Sequence, residues 1–584
     1  LKNFFSKLYN SKFFLYFCYL WVGGLSTLAF LPYKLSHLVW ISPFGLFWIE
    51  KKYRGNWKKQ ALHAHLAGVT TTILSYFWIN HLLVVFGGFP FIIAFVLFLL
   101  YAFVTNFRYS VFVVLFSYLR KKVGRWVVLL SGFCILFSEF FTFQLFPYYY
   151  GNLLAGNNFF SQNVEYIGVY GLSVLVFIVS YALFCSLEVL RKHQNSKKWI
   201  LIKKILILPL SLVLFFYFSG IILYYKWKNT EPTFSQQVMM IQPNAPLEFR
   251  DGRFKESIEN LMQKIEDLAS KGANDKKPDI IVLPESAVPF FSTHNTEATN
   301  LYNRSYYERF EALVYLLAVK YQASVYFNEV DAIFIDNKPS KESQRFYNSS
   351  VVFDPNGNRR DSYQKVYLLA FGEYFPLGET FPIIYDLIPQ VGRFLPGERQ
   401  NLLTYYNPKE VWSTWNKSHL RWMDSSFMNM KGFREYYKER EVELVEKGKF
   451  LPLICYEIII PEFVRKFHES GNPDFIINIT NDKWYGLSME TFQHLELARL
   501  RSIEYRRWMV RSTNSGTSVF INHLGEVLND TYTGQETSEV YSAKVDVIHS
   551  EPTFYVKYGN LLTWFYFISI FLLISYFIYK KNLK

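Results

Sequence analysis

The sequence predicts a multi-span α-helical membrane domain, then an α/β domain outside the membrane, then one further span. Three observations predict it. Hydrophobic runs able to cross ~30 Å of hydrocarbon crowd the first 225 residues and recur near the end. Mean hydropathy is nevertheless only +0.06, so a polar part must offset them. Charge divides the same way: residues 1–225 hold 20 Lys and Arg against four acids, a net +16, and the remaining residues net −2. The basic excess therefore follows the hydrophobic half, as the positive-inside rule requires. No basic stripe is left for nucleic acid. Hydrophobic residues at 51% and aromatics at 20% exclude a disordered or collagen-like chain.

Apolar runs fall at 13–32, 34–49, 62–82, 89–118, 126–146, 166–190, 205–225 and 560–579. Basic loops (Lys51–Lys59, Arg120–Arg125, Arg191–Lys204 and the Lys580/Lys581/Lys584 tail) alternate with loops 83–88 and 147–163, which carry no Lys or Arg. Eight spans follow: about seven in a membrane domain at 1–225, and one in 558–584 with a basic tail. Both termini are then cytoplasmic, with residues 226–557 on the far side. The first run reads as a span rather than a cleavable signal, because a second follows at once. Glu139 falls inside a span, either hydrogen-bonded to a neighbouring helix near the interface or lining a site. Arg108 reads as a junction between a span and its amphipathic continuation.

Residues 226–557 alternate short β-type runs with helical patterns, which predicts a sheet core covered by helices. The strands are Val238–Ile241, Ile280–Leu283, Ser324–Phe327, Ser350–Phe353, Leu451–Ile454, Phe475–Ile479 and Thr517–Ile521. The helices include Phe254–Leu268, Tyr306–Val319 and Met489–Arg507. Residues 403–448, rich in Trp, Tyr, Lys and Glu, show no clear strand and read as an inserted surface excursion. Its Trp412, Trp415 and Trp422 suit either a packed loop or a lid on the bilayer.

Three residues stand at or just beyond strand ends, where α/β folds build sites: Glu285, Lys365 and Cys455. A cysteine is a nucleophile only as thiolate. A lysine ammonium stabilises that thiolate, and a carboxylate takes and returns protons. The three suffice for acyl transfer through a thioester. Taken singly, each also has an inert reading as core, solvated surface or helix-cap neighbour. Cys18, Cys134 and Cys185 lie in apolar runs and read as small buried residues. No Cys/His spacing, His/carboxylate cluster or Gly-rich phosphate loop indicates a metal or organic cofactor.

Ile281-Val-Leu-Pro-Glu285, Tyr363-Gln-Lys365, Phe371-Gly-Glu373, Ile454-Cys455-Tyr456-Glu457 and Asn478-Ile-Thr-Asn-Asp-Lys-Trp-Tyr-Gly486 occur in this order. Gln242-Pro-Asn244, Gln493-His494, Arg511-Ser-Thr-Asn-Ser-Gly516 and Tyr555-Val-Lys-Tyr-Gly-Asn560 accompany them. Together they resemble the nitrilase superfamily and, within it, the apolipoprotein N-acyltransferase family of bacterial inner membranes. The resemblance implies an αββα sandwich in the periplasm. It implies Glu285 as general base, Lys365 as oxyanion stabiliser and Cys455 as nucleophile, with Glu373, Glu457 and Tyr456 supporting them. Glu139 with Phe146-Pro147 resembles that family's Glu…Phe-Pro pattern, and Phe249 is nearest to an aromatic it carries after Gln-Pro-Asn. Ala370, where the family has Pro, and the lack of an Arg shortly after Glu139 depart from its pattern. The implied donor is a phospholipid and the acceptor the free α-amine of a diacylated apolipoprotein, both held in the lipid bilayer, with no cofactor. A membrane-tethered amidase would use the same triad with water as acceptor. A multi-span receptor is the non-enzymatic alternative.

Overall fold

A computed structural model describes residues 13–30, 35–85, 87–192, 197–246, 258–273, 276–287, 307–334, 343–370, 372–375, 378–383, 392–410 and 441–582, with Ser11, Tyr33 and Tyr385. The first half is helical: α1 (Phe13–Ala29), α2 (Phe44–Lys52), α3 (Trp57–Ser75), α4 (Trp78–Val85), α5 (Phe91–Val104), α6 (Phe107–Leu119), α7 (Val127–Phe141), α8 (Val164–Lys192) and α9 (Lys197–Lys228).

Among the described residues, four helical stretches are long and apolar enough to cross a membrane: Phe91–Leu119, Phe160–Lys192, Lys198–Lys228 and Leu561–Lys580. A fifth forms if α3 and α4, bent by 63° at their break, count as one span. The apolar helices α1 and α7 are shorter. The run 34–49 does not form a spanning helix. It divides into a 3-10 turn at Ser36–Trp40 and the nine-residue α2, with Pro43 at the N-cap. Pro43 lacks an N–H and so suits a helix start, not an interior.

Span α8 is mostly buried, whereas α9 is mostly exposed, so α8 is the centre of the bundle and α9 lies on its outside. Arg108, in the first turn of α6, stands where α5 gives way to α6 and is buried there. It donates to Gln144 Oε1 at 2.7 Å and to the Tyr148 carbonyl, and lies over the Tyr109 and Tyr148 rings.

Eleven strands among the described residues make two sheets. The first runs β11-β1-β2-β3-β4-β5 and the second β10-β9-β8-β7-β6. Their ranges are β1 (Phe234–Gln242), β2 (Ile280–Val282), β3 (Ser324–Phe334), β4 (Gln344–Phe353), β5 (Arg359–Gln364), β6 (Leu403–Pro408), β7 (Leu444–Ile454), β8 (Phe475–Thr480), β9 (Met509–Thr513), β10 (Val519–Ile521) and β11 (Glu539–Val547). Parallel pairs β1–β2–β3 and β7–β8–β9 form the centres, and antiparallel strands the edges.

Strand alternation builds the layers. Val238, Met240, Ile280 and Val282 face the second sheet, where Phe450, Phe475 and Ile477 meet them. Met239, Ile241, Ile281 and Leu283 face outward onto α10 (Ile258–Ala273) and α11 (Tyr307–Tyr321). Helix α12 (Glu490–Tyr505) covers the other sheet, placing Leu495 and Ala498 on it, while Leu500 and Ile503 join the core of the membrane half. The result is an α-β-β-α sandwich whose last helical layer also docks on the membrane helices. Helix α13 (Leu561–Asn582) follows.

The segment 403–448 is not free of strands at its ends: β6 and the start of β7 pair antiparallel, Leu403 with Phe450 through Pro408 with Leu444. Strand β6 mixes buried Leu403 and Tyr405 with polar positions, and the start of β7 carries exposed Glu446, Lys447 and Lys449, so neither has a continuous apolar signature. Its Trp412, Trp415 and Trp422 lie outside the described residues.

One buried ion pair locks the halves together. Arg506 pairs through Nε with Glu165 at the start of α8, and donates to Gln162 Oε1 at 2.5 Å and to the Gln162 carbonyl at 3.1 Å. Trp227 Nε1 donates to the same Glu165 at 2.8 Å. Arg506→Met leaves Glu165 buried without a cation, and we expect about 3–5 kcal/mol of destabilisation, read as a lower unfolding temperature in detergent. Arg506→Lys should recover only part of it, because the forked contact needs a guanidinium.

Candidate active site

Cys455 directly follows β7 and opens a 3-10 turn. Its φ is +53°, in the left-handed region that residues with a Cβ rarely adopt. Glu457 holds this turn: Oε2 accepts from Ile454 N at 2.9 Å, and Oε1 accepts from Tyr363 Oη, Val366 N and Tyr367 N at 2.7, 2.9 and 3.1 Å. Glu457 therefore ties the nucleophile turn to the segment carrying Lys365. Burial lifts its carboxyl to about 7 against these bonds.

Lys365 lies just past β5, its backbone N donating to the Asn348 carbonyl at 2.8 Å. Its ammonium is 1% exposed, 2.8 Å from Glu373 Oε2 and 4.0 Å from Glu285 Oε1. Burial pulls its pKa down, but the carboxylates of Glu373 and Glu285 outweigh this and hold it above the ordinary lysine range. Glu285, just past β2, accepts from Asn348 Nδ2 at 2.9 Å and from Asn481 N at 3.0 Å. Burial pushes its pKa up, with Lys365 opposing. Burial likewise raises the Cys455 thiol well above its usual value; Glu285 adds to this, while Lys365 and a hydrogen bond with Thr480 oppose it. Burial thus favours the neutral thiol, and the site sets it with the Glu285 carboxyl group and the Lys365 ammonium. Such a set can move one proton from sulfur to oxygen and leave a cation for a developing oxyanion.

Sequence reasoning missed Asn348, whose amide bridges Glu285 and Glu373 at 2.9 and 2.7 Å. Asn328 orients it, donating to Asn348 Oδ1 at 2.8 Å. No local sequence signal marked it, because Asn348 precedes the apolar run Ser350–Phe353 and its partners are remote in sequence. Also missed as site residues were Asp482 and Arg511, a buried pair at 2.9 Å whose guanidinium also binds Asn478 Oδ1 at 2.5 Å.

Residues 238–552 match the family model of carbon-nitrogen hydrolases, and residues 22–182 that of the apolipoprotein N-acyltransferase N-terminal domain. Apolipoprotein N-acyltransferase 2 of Leptospira interrogans is 49% identical over 573 residues, 96% of this chain and 95% of that one. The chain belongs to the apolipoprotein N-acyltransferase family. Apolipoprotein N-acyltransferase 1 of the same species is 29% identical over 526 residues, 87% of each chain. Among solved structures, an amidase of the nitrilase superfamily from Nesterenkonia AN1 is 13% identical, covers 56% of this chain and 95% of its own, and has a TM-score of 0.34.

In this N-acyltransferase the membrane half reaches the nucleophile turn. Tyr456 donates its hydroxyl to the Leu145 carbonyl and stands edge-on to Phe146, centroids 5.5 Å apart. Glu139, at the end of α7, is buried and accepts from Tyr150 N at 2.9 Å. It thus shapes the loop after α7 and, among the described residues, has no hydrogen bond or ion pair with Glu285, Lys365 or Cys455. Phe249 lies outside the described residues.

Proposed function

We propose that this enzyme moves an acyl chain from a phospholipid to the α-amine of the S-diacylglyceryl N-terminal cysteine of apolipoproteins, through a thioester on Cys455. Glu285 takes the thiol proton, the thiolate attacks the ester carbonyl, and Lys365 stabilises the oxyanion, a contribution of about 3 kcal/mol for such a donor. Glu285 passes its proton to the departing lysophospholipid. The amine then attacks the thioester in a ping-pong sequence. We also propose that residues 226–557 form a periplasmic catalytic domain on the bacterial inner membrane, with membrane segments at 1–225 and 558–584 and both termini cytoplasmic. Loop charge supports this orientation.

The observation that carries the mechanism is the convergence of Lys365 on Glu285 and Glu373 beside a thiol that both Glu285 and Lys365 influence. The test incubates a synthetic diacylated lipopeptide with phospholipid and purified protein, wild type beside Cys455→Ala, and weighs the products. An acyl increment on the α-amine in wild type only is expected. Free fatty acid without an increment would instead make the enzyme a hydrolase.

A further inference from the structure

Between the nucleophile turn and the membrane helices lies a cavity of about 30 Å³, walled by Trp78, Phe146, Tyr456, Tyr485, Glu490 and His494. It has room for one group the size of water or ammonium. It borders the nucleophile turn: Tyr456 and Ile459, both in the Cys455–Ile459 turn, line it.

Its polar wall is incompletely used. Glu490 is 6% exposed and His494 4%. The His494 Nδ1 is 3.4 Å from Glu490 Oε1 and from Asp482 Oδ1, but Glu490 Oε2 and His494 Nε2 have no hydrogen-bond partner. Asp482, by contrast, is matched by Arg511 at 2.9 Å and accepts from Thr480 at 3.0 Å. A buried carboxylate oxygen without a donor is costly and calls for a ligand. A carboxylate set among aromatic faces is the chemistry that binds an organic ammonium. The three side chains also bring donor atoms within 4.8 Å of one another, as a metal site would. Arg511 already supplies the cation there, and aromatic walls favour an organic one.

We propose that this cavity is a primary-ammonium subsite in which Glu490 binds and deprotonates the acceptor's α-ammonium. The proposal rests on the thioester mechanism above. An α-amino group titrates near ~8, so at neutral pH most of it lacks the lone pair that must attack. The ammonium N–H bond breaks and its proton goes to Glu490. The freed pair forms the C–N bond, and the C–S bond breaks onto Cys455 sulfur. Glu285 takes the second nitrogen proton and returns it to that sulfur. The proton on Glu490 leaves to water, so one ammonium and one thioester give one amide, one thiol and one proton. Asp482, His494, Arg511 and Tyr485 face Glu490. Burial first and then Asp482 raise its pKa, while His494 and Arg511 oppose.

The two half-reactions separate this role from the triad's. Purified protein is loaded with labelled phospholipid, thioester and lysophospholipid are quantified, and diacylated lipopeptide is then added across a range of pH. For Glu490→Gln, we expect the loading burst to remain and acyl transfer to fall about 100-fold, the scale of a positioned base, with rescue at alkaline pH where the amine is already free. Glu490→Asp should be intermediate. Transfer within twofold of wild type at neutral pH overturns the proposal. So does a loading defect confined to ethanolamine-headgroup donors and absent with glycerol-headgroup donors, which would make the donor the source of the ammonium. Loss of transfer on dialysis with EDTA, restored by zinc, overturns it in favour of a metal. A wild type that releases no lysophospholipid fails earlier, at the thioester mechanism, and takes this proposal with it.

Discussion

Glu285→Gln is expected to slow thioester formation by about 10²–10⁴-fold, the range for loss of a positioned general base. The substitution keeps the shape but not the hydrogen bonds. Glu285 accepts from two donors, Asn348 Nδ2 and Asn481 N. An amide presents an NH₂ to one of them whichever way it turns, leaving a donor facing a donor at about 1–3 kcal/mol. The measurement is the burst of lysophospholipid from phospholipid without acceptor. Its pH dependence supplies a second check. Burial raises the Glu285 pKa, and only the carboxylate can take the thiol proton. Activity is therefore present above the raised pKa and lost as pH falls through it. The acid limb of loading should lie above the ~4.3 of an ordinary glutamate; a limb at or below that value would remove Glu285 as the base.

Lys365→Met should abolish transfer and also weaken the fold. The ammonium is buried against Glu373 and Glu285, whose side chains are only 14% and 10% exposed. Removing it leaves the buried Glu285 and the part-buried Glu373 without a cation, and breaking such a set costs about 3–5 kcal/mol. Thermal unfolding in detergent measures this. Adding Glu373→Gln removes one uncompensated charge, so the double variant should regain stability and still not transfer. A double variant no more stable than Lys365→Met would show that the pair is not energetically coupled.

The strands legible in the sequence are those buried on both faces, such as Ile280–Val282 and Phe475–Thr480, where an apolar run is itself the signal. Strands β5 and β6 escaped because their outer residues stay polar, and β9 because its buried Arg511 needs Asn478 and Asp482, which are remote in sequence. In the membrane half, run 34–49 has the hydropathy of a span, but a window average cannot sense the turn before Pro43. Residues Glu285, Lys365 and Cys455 could be singled out because each is a reactive or charged group at or just beyond a strand end. Asn348 could not, because its importance depends on two carboxylates 63 and 25 residues away.

Sequence alone was enough for the fold class and the family, and it nominated the three chemical groups of the proposed mechanism. Hydropathy and charge are local sums, and motif residues are exacting in kind. Only the folded chain decides which buried groups find partners. Asn348 bridges two carboxylates, Arg506 is matched to Glu165, and Glu490, with one oxygen unpartnered, lines a cavity. Pairing and burial are properties of distance in space. Glu285 and Asn481 meet at 3.0 Å across 196 residues of chain, and no window along the sequence spans that.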